Sequence, residues 1–275
     1  MIGLFDESGR YESPEAEVPA VCRALPSLMF HPRYVYIMFR GSQKAKRGRY
    51  GEEGWNVNSL KVLRALEAVG VRVEAEGAEN FINLEGPCLF VSNHMSTLET
   101  MVLPVLINPY RRITFVVKDW LVKMPFFRHI MISRDPVVVG RKNPREDITT
   151  VLTKGRELLA QGASIVVFPQ TTRTLEFVPR HFNTIGVKLA ARAGVPIVPT
   201  VLKTDAWANG RFVKDFGKID PRIKVRFAFG KPITVSGRGG EEHERIIEFI
   251  QGKLKQWGDN DDALVKSQNY EVVEK

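Results

Sequence analysis

The stretch Phe90-Val91-Ser92-Asn93-His94-Met95-Ser96-Thr97-Leu98-Glu99 sets an imidazole and a carboxylate five residues apart, where an apolar run gives way to polar residues. Cys88-Leu89-Phe90-Val91 is short, apolar and partly β-branched, which predicts a buried strand that Ser92-Asn93 breaks. His94 then falls at the strand's carboxyl end, where open α/β sheets place their ligands. Along one regular helix a five-residue spacing turns Glu99 away from His94, so the two meet only if His94 precedes the helix. Ser96-x-x-Glu99 has the form of a capping box, which starts the helix there and folds the carboxylate back toward its N-terminus. Two readings stand side by side. In one, Glu99 accepts a hydrogen bond from one ring nitrogen of His94, and the other nitrogen is free to take a proton from a hydroxyl. In the other, the motif is only a capped helix.

Outward from this stretch, helical and strand patterns alternate. Leu60, Leu63, Leu66 and Val69 predict an amphipathic helix over 58–69 that Gly70 ends, and Val71 to Ala75 alternates as a half-buried strand does. Pro104 is expected to kink or end the helix that follows the central motif. Strands are predicted at 113–117, 164–168, 195–202 and 224–229, with helices over 145–161, 184–193 and 241–257 and a polar tail after the last. This order predicts the α/β class, with a mixed, mostly parallel sheet flanked by helices. The chain divides into an N-terminal segment over 1–57, an α/β domain over 58–235 and a C-terminal helix and tail over 236–275.

At 275 residues and 44% hydrophobic, the chain is long enough to bury a full core. Forty Lys and Arg against 31 Asp and Glu give a formal charge of +9, which favours an anionic partner: a membrane, a nucleic acid or a phosphate-bearing substrate. Two cysteines, Cys22 and Cys88, make neither a disulfide framework nor a Cys-rich zinc spacing and fit a reducing cytosol. Cys88, inside an apolar strand, reads as core rather than as a nucleophile. No apolar run reaches the ~18 residues of a spanning helix, and the acidic start is unlike a signal peptide, so membrane contact is expected to be peripheral.

Residues 1–20 are acidic and proline-containing and are expected to be loosely ordered. Beyond them, Leu25 to Phe30 and Tyr34 to Phe39 are apolar and aromatic, and Arg40, Lys44, Lys46, Arg47 and Arg49 follow. Rings beside cations are what an anchor at an anionic bilayer needs, which makes this a membrane-associating helical segment. The same pattern also fits a helical hairpin packed on the main domain and followed by a solvated basic loop.

Phe168-Pro169-Gln170-Thr171-Thr172-Arg173-Thr174 repeats the logic of the first motif, a buried strand running into a polar turn. Hydroxyls, an amide and a guanidinium at a strand end suit a phosphate or a polyol, the arginine through forked hydrogen bonds. Together with Asn93-His94-x-x-x-x-Glu99, this motif resembles those of the glycerolipid acyltransferase family typified by 1-acylglycerol-3-phosphate acyltransferases. The resemblance covers roughly residues 70–235. Asn93, His94 and Glu99 match the family's Asn-His-x-x-x-x-Asp; Lys118, Leu121, Pro125 and Arg134 match its second motif. Phe168 to Thr174 match Phe-Pro-Glu-Gly-Thr-Arg-Ser, and Val195 to Pro199 repeat the fourth motif unchanged. Glu99 stands for the usual Asp, and Gln170 and Thr171 stand where Glu and Gly are usual.

The resemblance implies direct acyl transfer, with no metal and no cofactor beyond an acyl-CoA or acyl carrier protein as the donor. His94 and Glu99 would be catalytic, and amides at the following helix start would be the oxyanion donors. Asn93, Lys118, Arg134, Gln170, Thr171, Thr172 and Arg173 would bind substrate, Arg134 and Arg173 through the acceptor phosphate. The partners implied are a lysophospholipid acceptor, most simply 1-acylglycerol-3-phosphate, the thioester donor and an anionic membrane surface on the cytoplasmic side, with no nucleic acid. Gln170 and Thr171 leave room for another hydroxyl or amino lipid acceptor. A rival from another class is a non-catalytic basic protein of membranes or nucleic acid, which would leave four ordered motifs unexplained.

Overall fold

All four residues of the strand Leu89–Ser92 (β3) are buried, and they alternate between two cores, Phe90 in one and Leu89 and Val91 in the other. A strand apolar on both faces must lie inside a sheet covered on both sides. The computed structural model describes residues 3–273 except 126, 141, 142 and 171, with backbone alone from 259 onward, and it has that form. The other strands are Tyr11–Glu12 (β1), Val73–Glu76 (β2), Ile113–Lys118 (β4), Val137–Val139 (β5), Ser164–Val167 (β6), Ile197–Lys203 (β7) and Val225–Phe229 (β8). They form one sheet in the order β1-β2-β8-β7-β3-β6-β4-β5. β7, β3, β6, β4 and β5 run parallel; β8 is antiparallel to β7 and parallel to β2, and β1 closes the far edge antiparallel to β2. The sheet is therefore mixed and mostly parallel, as the alternation of patterns predicts.

Helices Pro26–Lys46 (α2), Gly51–Glu67 (α3) and Leu98–Ile107 (α5) pack on the side of Phe90, Val166 and Phe227. Pro144–Ala160 (α7), Ile185–Ala193 (α8) and Gly240–Val273 (α9) cover the other, with Val91, Ile165 and Val201. Short helices Ala20–Ala24 (α1), Glu79–Ile82 (α4) and Arg128–Ile132 (α6) complete the chain.

Two expectations differ from what is observed, and a third is narrowed. The described residues before 20 are not loose: β1 joins the sheet, Phe5 meets Phe81 and Phe229 edge-on, and the hydroxyls of Tyr11 and Ser13 donate to Glu67 at 2.5 and 2.6 Å. The stretch expected to be a polar tail continues α9 as helix to Val273. Of the two outcomes expected at Pro104, a kink or an end, the end does not occur, and α5 runs on to Ile107. Here Ser59 of α3 bridges the helix at that point, its Oγ donating to the Met101 carbonyl at 2.6 Å and accepting from the Val105 amide at 2.9 Å. That hydroxyl takes the place of the Val105-to-Met101 bond and, with the buried leucines and valines of α5, carries the helix past its proline.

Of the two readings of the α2 segment, the packed hairpin is the one observed. Phe30, Tyr34, Ile37 and Met38 are buried in the core, so α2 and α3 form the packed hairpin. Leu28 (59% exposed), Val35, Tyr36 (62%) and Phe39 run along the opposite face into solvent. No helix among the described residues is long and apolar enough to cross a membrane.

The seat of β3 is set by a glycine. A Cβ at Gly186 in α8 would come within 2.7 Å of the Val91 Cγ2. Gly→Ala in a helix interior ordinarily stabilises by ~0.5–1 kcal/mol, whereas overpacking a core costs ~1–3 kcal/mol. Gly186→Ala is therefore expected to destabilise the fold in urea unfolding, and a gain in midpoint would show that α8 rides freely over β3.

Candidate active site

Because β7, β3, β6 and β4 are mutually parallel, their carboxyl ends open on one edge of the sheet. The ends of these strands and the turns that leave them carry Thr204, His94, Phe168 to Gln170, Thr172 to Thr174 and Lys118. His94 lies in the turn between β3 and α5, ahead of the helix, as the five-residue spacing requires. Its Nδ1 is 2.8 Å from Glu99 Oε1.

Glu99 is fully buried and surrounded by donors. Oε1 also accepts from the amides of Met95 (2.7 Å) and Ser96 (2.8 Å), and Oε2 from the Thr204 hydroxyl at 2.6 Å. Burial alone would raise this carboxyl; the hydrogen bonds from His94, Thr204 and Ser96 outweigh it and hold the group below its ordinary value. An ionised carboxylate only accepts, so the Nδ1 proton of His94 lies toward Glu99, and Nε2 is the nitrogen left for chemistry. The imidazole is stacked on the Phe168 ring, with centroids 4.3 Å apart and planes 16° apart. The capping box is half formed: Glu99 reaches back to the Ser96 amide, while the Ser96 Oγ accepts from Leu98 rather than from Glu99.

The His94 ring opens on a cavity of about 350 Å³. Its charged lining among the described residues is Lys118, Arg173, Lys214 and Asp215, and its apolar lining includes Trp55, Met101, Phe115 and Leu121. Gln170 and Thr172 line it as well, but Gln170 is engaged: its Oε1 accepts from the His94 amide at 2.8 Å and its Nε2 donates to Thr174 Oγ1 at 2.7 Å. With the Thr174 amide donating to the His94 carbonyl at 3.0 Å, Gln170 stitches the first and third motifs together. Thr171 lies outside the described residues.

Two expected substrate-binding residues are elsewhere. Asn93 is 1% exposed and makes a two-bond clasp with the Leu202 backbone, at 2.8 and 2.9 Å, so it fixes β3 to β7 rather than meeting substrate. Arg134 is not on the cavity wall; its guanidinium sits 5.4 Å from the centroid of the Trp55 ring, and that indole lines the cavity. Of the amides around the helix start, those of Met95, Ser96 and Leu98 already serve Glu99 and Ser96. Cys88 is core, its thiol pushed up to about 11 by burial.

Sequence reasoning missed Thr204, Lys214 and Asp215. Thr204 follows the end of β7, so the rule that singled out His94 and Arg173 would have reached it. Nothing in the sequence marks the loop that carries Lys214 and Asp215.

The lowered Glu99 carboxyl has a consequence for stability. Its contribution is fully present above the unfolded value of about 4.3 and is lost as pH falls through the folded value. Glu99→Gln keeps an acceptor toward the amides and turns an NH2 toward the rotatable Thr204 hydroxyl, so it is expected to fold. The gap in melting temperature between wild type and this variant should close below about pH 4, and a gap that widens in acid would contradict an ionised Glu99.

A family model described as Acyltransferase matches residues 72–203. The chain is 31% identical over 212 residues to a 1-acyl-sn-glycerol-3-phosphate acyltransferase of Pseudomonas aeruginosa, covering 77% of this chain and 76% of that protein. It is 29% identical over 166 residues to the human 1-acyl-sn-glycerol-3-phosphate acyltransferase alpha, 55% and 54% of the two chains. In fold it is similar to the 1-acyl-sn-glycerophosphate acyltransferase PlsC of Thermotoga maritima, with a TM-score of 0.63 at 18% identity over 86% of this chain and 96% of that one. The ordered motifs, the dyad at the strand ends and these likenesses make the chain an enzyme of the glycerolipid acyltransferase family.

Proposed function

We propose that this enzyme moves a fatty acyl group from a CoA or acyl-carrier-protein thioester to the free hydroxyl of 1-acylglycerol-3-phosphate, in phospholipid biosynthesis. The observation that carries the reading is the His94–Glu99 pair at 2.8 Å, set in a cavity lined by the cations Lys118, Arg173 and Lys214 and by apolar residues such as Phe115 and Leu121. Nε2 of His94 takes the acceptor hydroxyl proton as the oxygen attacks the thioester carbonyl. The buried Glu99 carboxylate stabilises the imidazolium that results. Collapse of the tetrahedral intermediate breaks the C–S bond, and the imidazolium returns the proton to the departing thiolate. Arg173 and Lys118 hold the acceptor phosphate. The apolar wall takes an acyl chain.

A mixed lysolipid pool with acyl-CoA or acyl carrier protein, read by mass spectrometry, tests this. Phosphatidate should be the product and thiol release should depend on lysophosphatidate; preferred acylation of a phosphate-free or amino lipid would overturn the acceptor. In the same assay His94→Ala should remove nearly all turnover, and Glu99→Gln should cost on the order of a hundredfold.

The enzyme works, in this reading, as a peripheral protein on the cytoplasmic face of an anionic membrane. In support, the outer face of α2 carries Leu28, Val35, Tyr36 and Phe39, and Lys44, Lys46, Arg47 and Arg49 are exposed at its end. Phe216 continues this face toward the cavity mouth: its ring lies 5.4 Å from that of His31, and Phe212, 92% exposed, lies on the same loop. Each cation near an anionic surface contributes ~1 kcal/mol, and the attraction is screened over ~10 Å at 0.1 M salt. Replacing Lys44, Lys46, Arg47 and Arg49 by Glu should abolish co-sedimentation with anionic vesicles while turnover of a short-chain, soluble acceptor stays nearly unchanged. Undiminished sedimentation would make these cations only the partners of a helix C-terminus.

A further inference from the structure

The loop between β7 and β8 delivers a carboxylate into the cavity. Its arms are tied by bonds from the Ala208 amide to the Lys218 carbonyl at 2.9 Å and from the Gly210 amide to the Lys214 carbonyl at 3.1 Å. They approach so closely that a Cβ on Gly217 would lie 1.7 Å from the Ala208 oxygen. This hairpin holds Asp215, 6% exposed, against the two turns that carry the first and third motifs. Asp215 Oδ1 accepts from Thr97 Oγ1 at 2.7 Å and from Arg173 Nη1 at 2.8 Å, and Arg173 Nη1 also donates to Thr97 Oγ1 at 2.8 Å. The three side chains close a ring.

The ring has a direction. Thr97 is the residue just before α5, whose first turn bears Glu99, so the guanidinium is fixed relative to the catalytic dyad. Nη1 uses both of its hydrogens within the ring. Nε and Nη2 have no partner among the described residues, and they form the fork that binds a phosphate through two parallel bonds. A carboxylate that competed with phosphate would take that fork; Asp215 takes one nitrogen and leaves the fork open. The repulsion it offers an incoming anion is opposed by Lys118 on the same wall and by Lys214 of its own loop, whose Nζ is 3.3 Å from Thr172 Oγ1.

We infer that Asp215 is a positioning residue for acceptor recognition: with Thr97 it holds Arg173 so that the Nε–Nη2 edge receives the acceptor phosphate. This rests on the reading of the acceptor as a phosphorylated lysolipid.

The test is steady-state kinetics of the full chain with 1-acylglycerol-3-phosphate, with a phosphate-free monoacylglycerol and with acyl-CoA, on wild type, Asp215→Asn and Asp215→Glu. Asp215→Asn keeps the shape and an acceptor oxygen but loses the charge that orients the guanidinium. Its KM for the phosphorylated acceptor should rise about tenfold, equivalent to ~1.4 kcal/mol, with kcat and the KM for acyl-CoA within about twofold of wild type. Asp215→Glu should recover part of the loss, and the monoacylglycerol, where it is turned over, should show no change. A fall in KM for the phosphorylated acceptor would make Asp215 a competitor and overturn the inference. So would an equal rise for both substrates with a lowered melting temperature, which marks a merely structural ion pair. Failure of the acceptor reading is seen separately, in the wild type, as turnover of the phosphate-free acceptor alone.

Discussion

A carboxylate with no solvent exposure is tolerated only where donors surround it, and the organisation of this site follows from that constraint on Glu99. An uncompensated charge at that depth would cost several kcal/mol, so the backbone of the preceding turn is folded around it. The Met95 and Ser96 amides, in the turn ahead of α5, point at Glu99, and the Thr204 hydroxyl arrives from just past the neighbouring strand. Each bond answers two needs at once. The amides of the turn are satisfied and the charge is solvated by protein, and of these donors only His94 lines the cavity. The Asn93 clasp on Leu202 serves the same end, because it locks β3 to β7 where Thr204 must reach across.

Sheet order makes this convergence possible. β3 and β4 follow one another in sequence yet flank β6 in space, so the first, second and third motifs leave three adjacent strand ends in the order first, third, second. The reversal of β8 after β7 sends the intervening loop back over the same edge. A parallel connection would have had to cross to the opposite edge of the sheet before the next strand began.

The dyad was legible in the sequence because it depends on local rules: an apolar strand, a break, a capping signal and the geometry of 3.6 residues per turn. The mostly parallel sheet was legible for the same reason, from the alternation of periods. Contacts between distant parts of the chain were not. Asn93 sits in the family's motif, and only the structure shows its amide turned inward to a strand more than a hundred residues away. Pro104 carried a valid local signal that was overridden by Ser59, a hydroxyl on another helix with nothing in its neighbourhood to announce the role. For α2, the pattern of aromatic rings and cations could not decide which rings are buried, since the helix has one apolar face in the core and another exposed. Asp215 was invisible because a carboxylate in a glycine-bearing loop has no periodicity to betray where its side chain goes.

Cys88 precedes β3 and is closed in by β6: the Ser164 hydroxyl accepts from its amide at 3.1 Å, and the Ile165 amide donates to its carbonyl at 3.1 Å. With no exposure and a thiol raised to about 11, it is shielded both from reagents and from ionisation while these strands stay paired. The strand that it leads into also carries His94. A thiol-directed label therefore acts as a clock on the opening of this particular strand pair, and its rate measures how often the sheet beneath His94 comes apart.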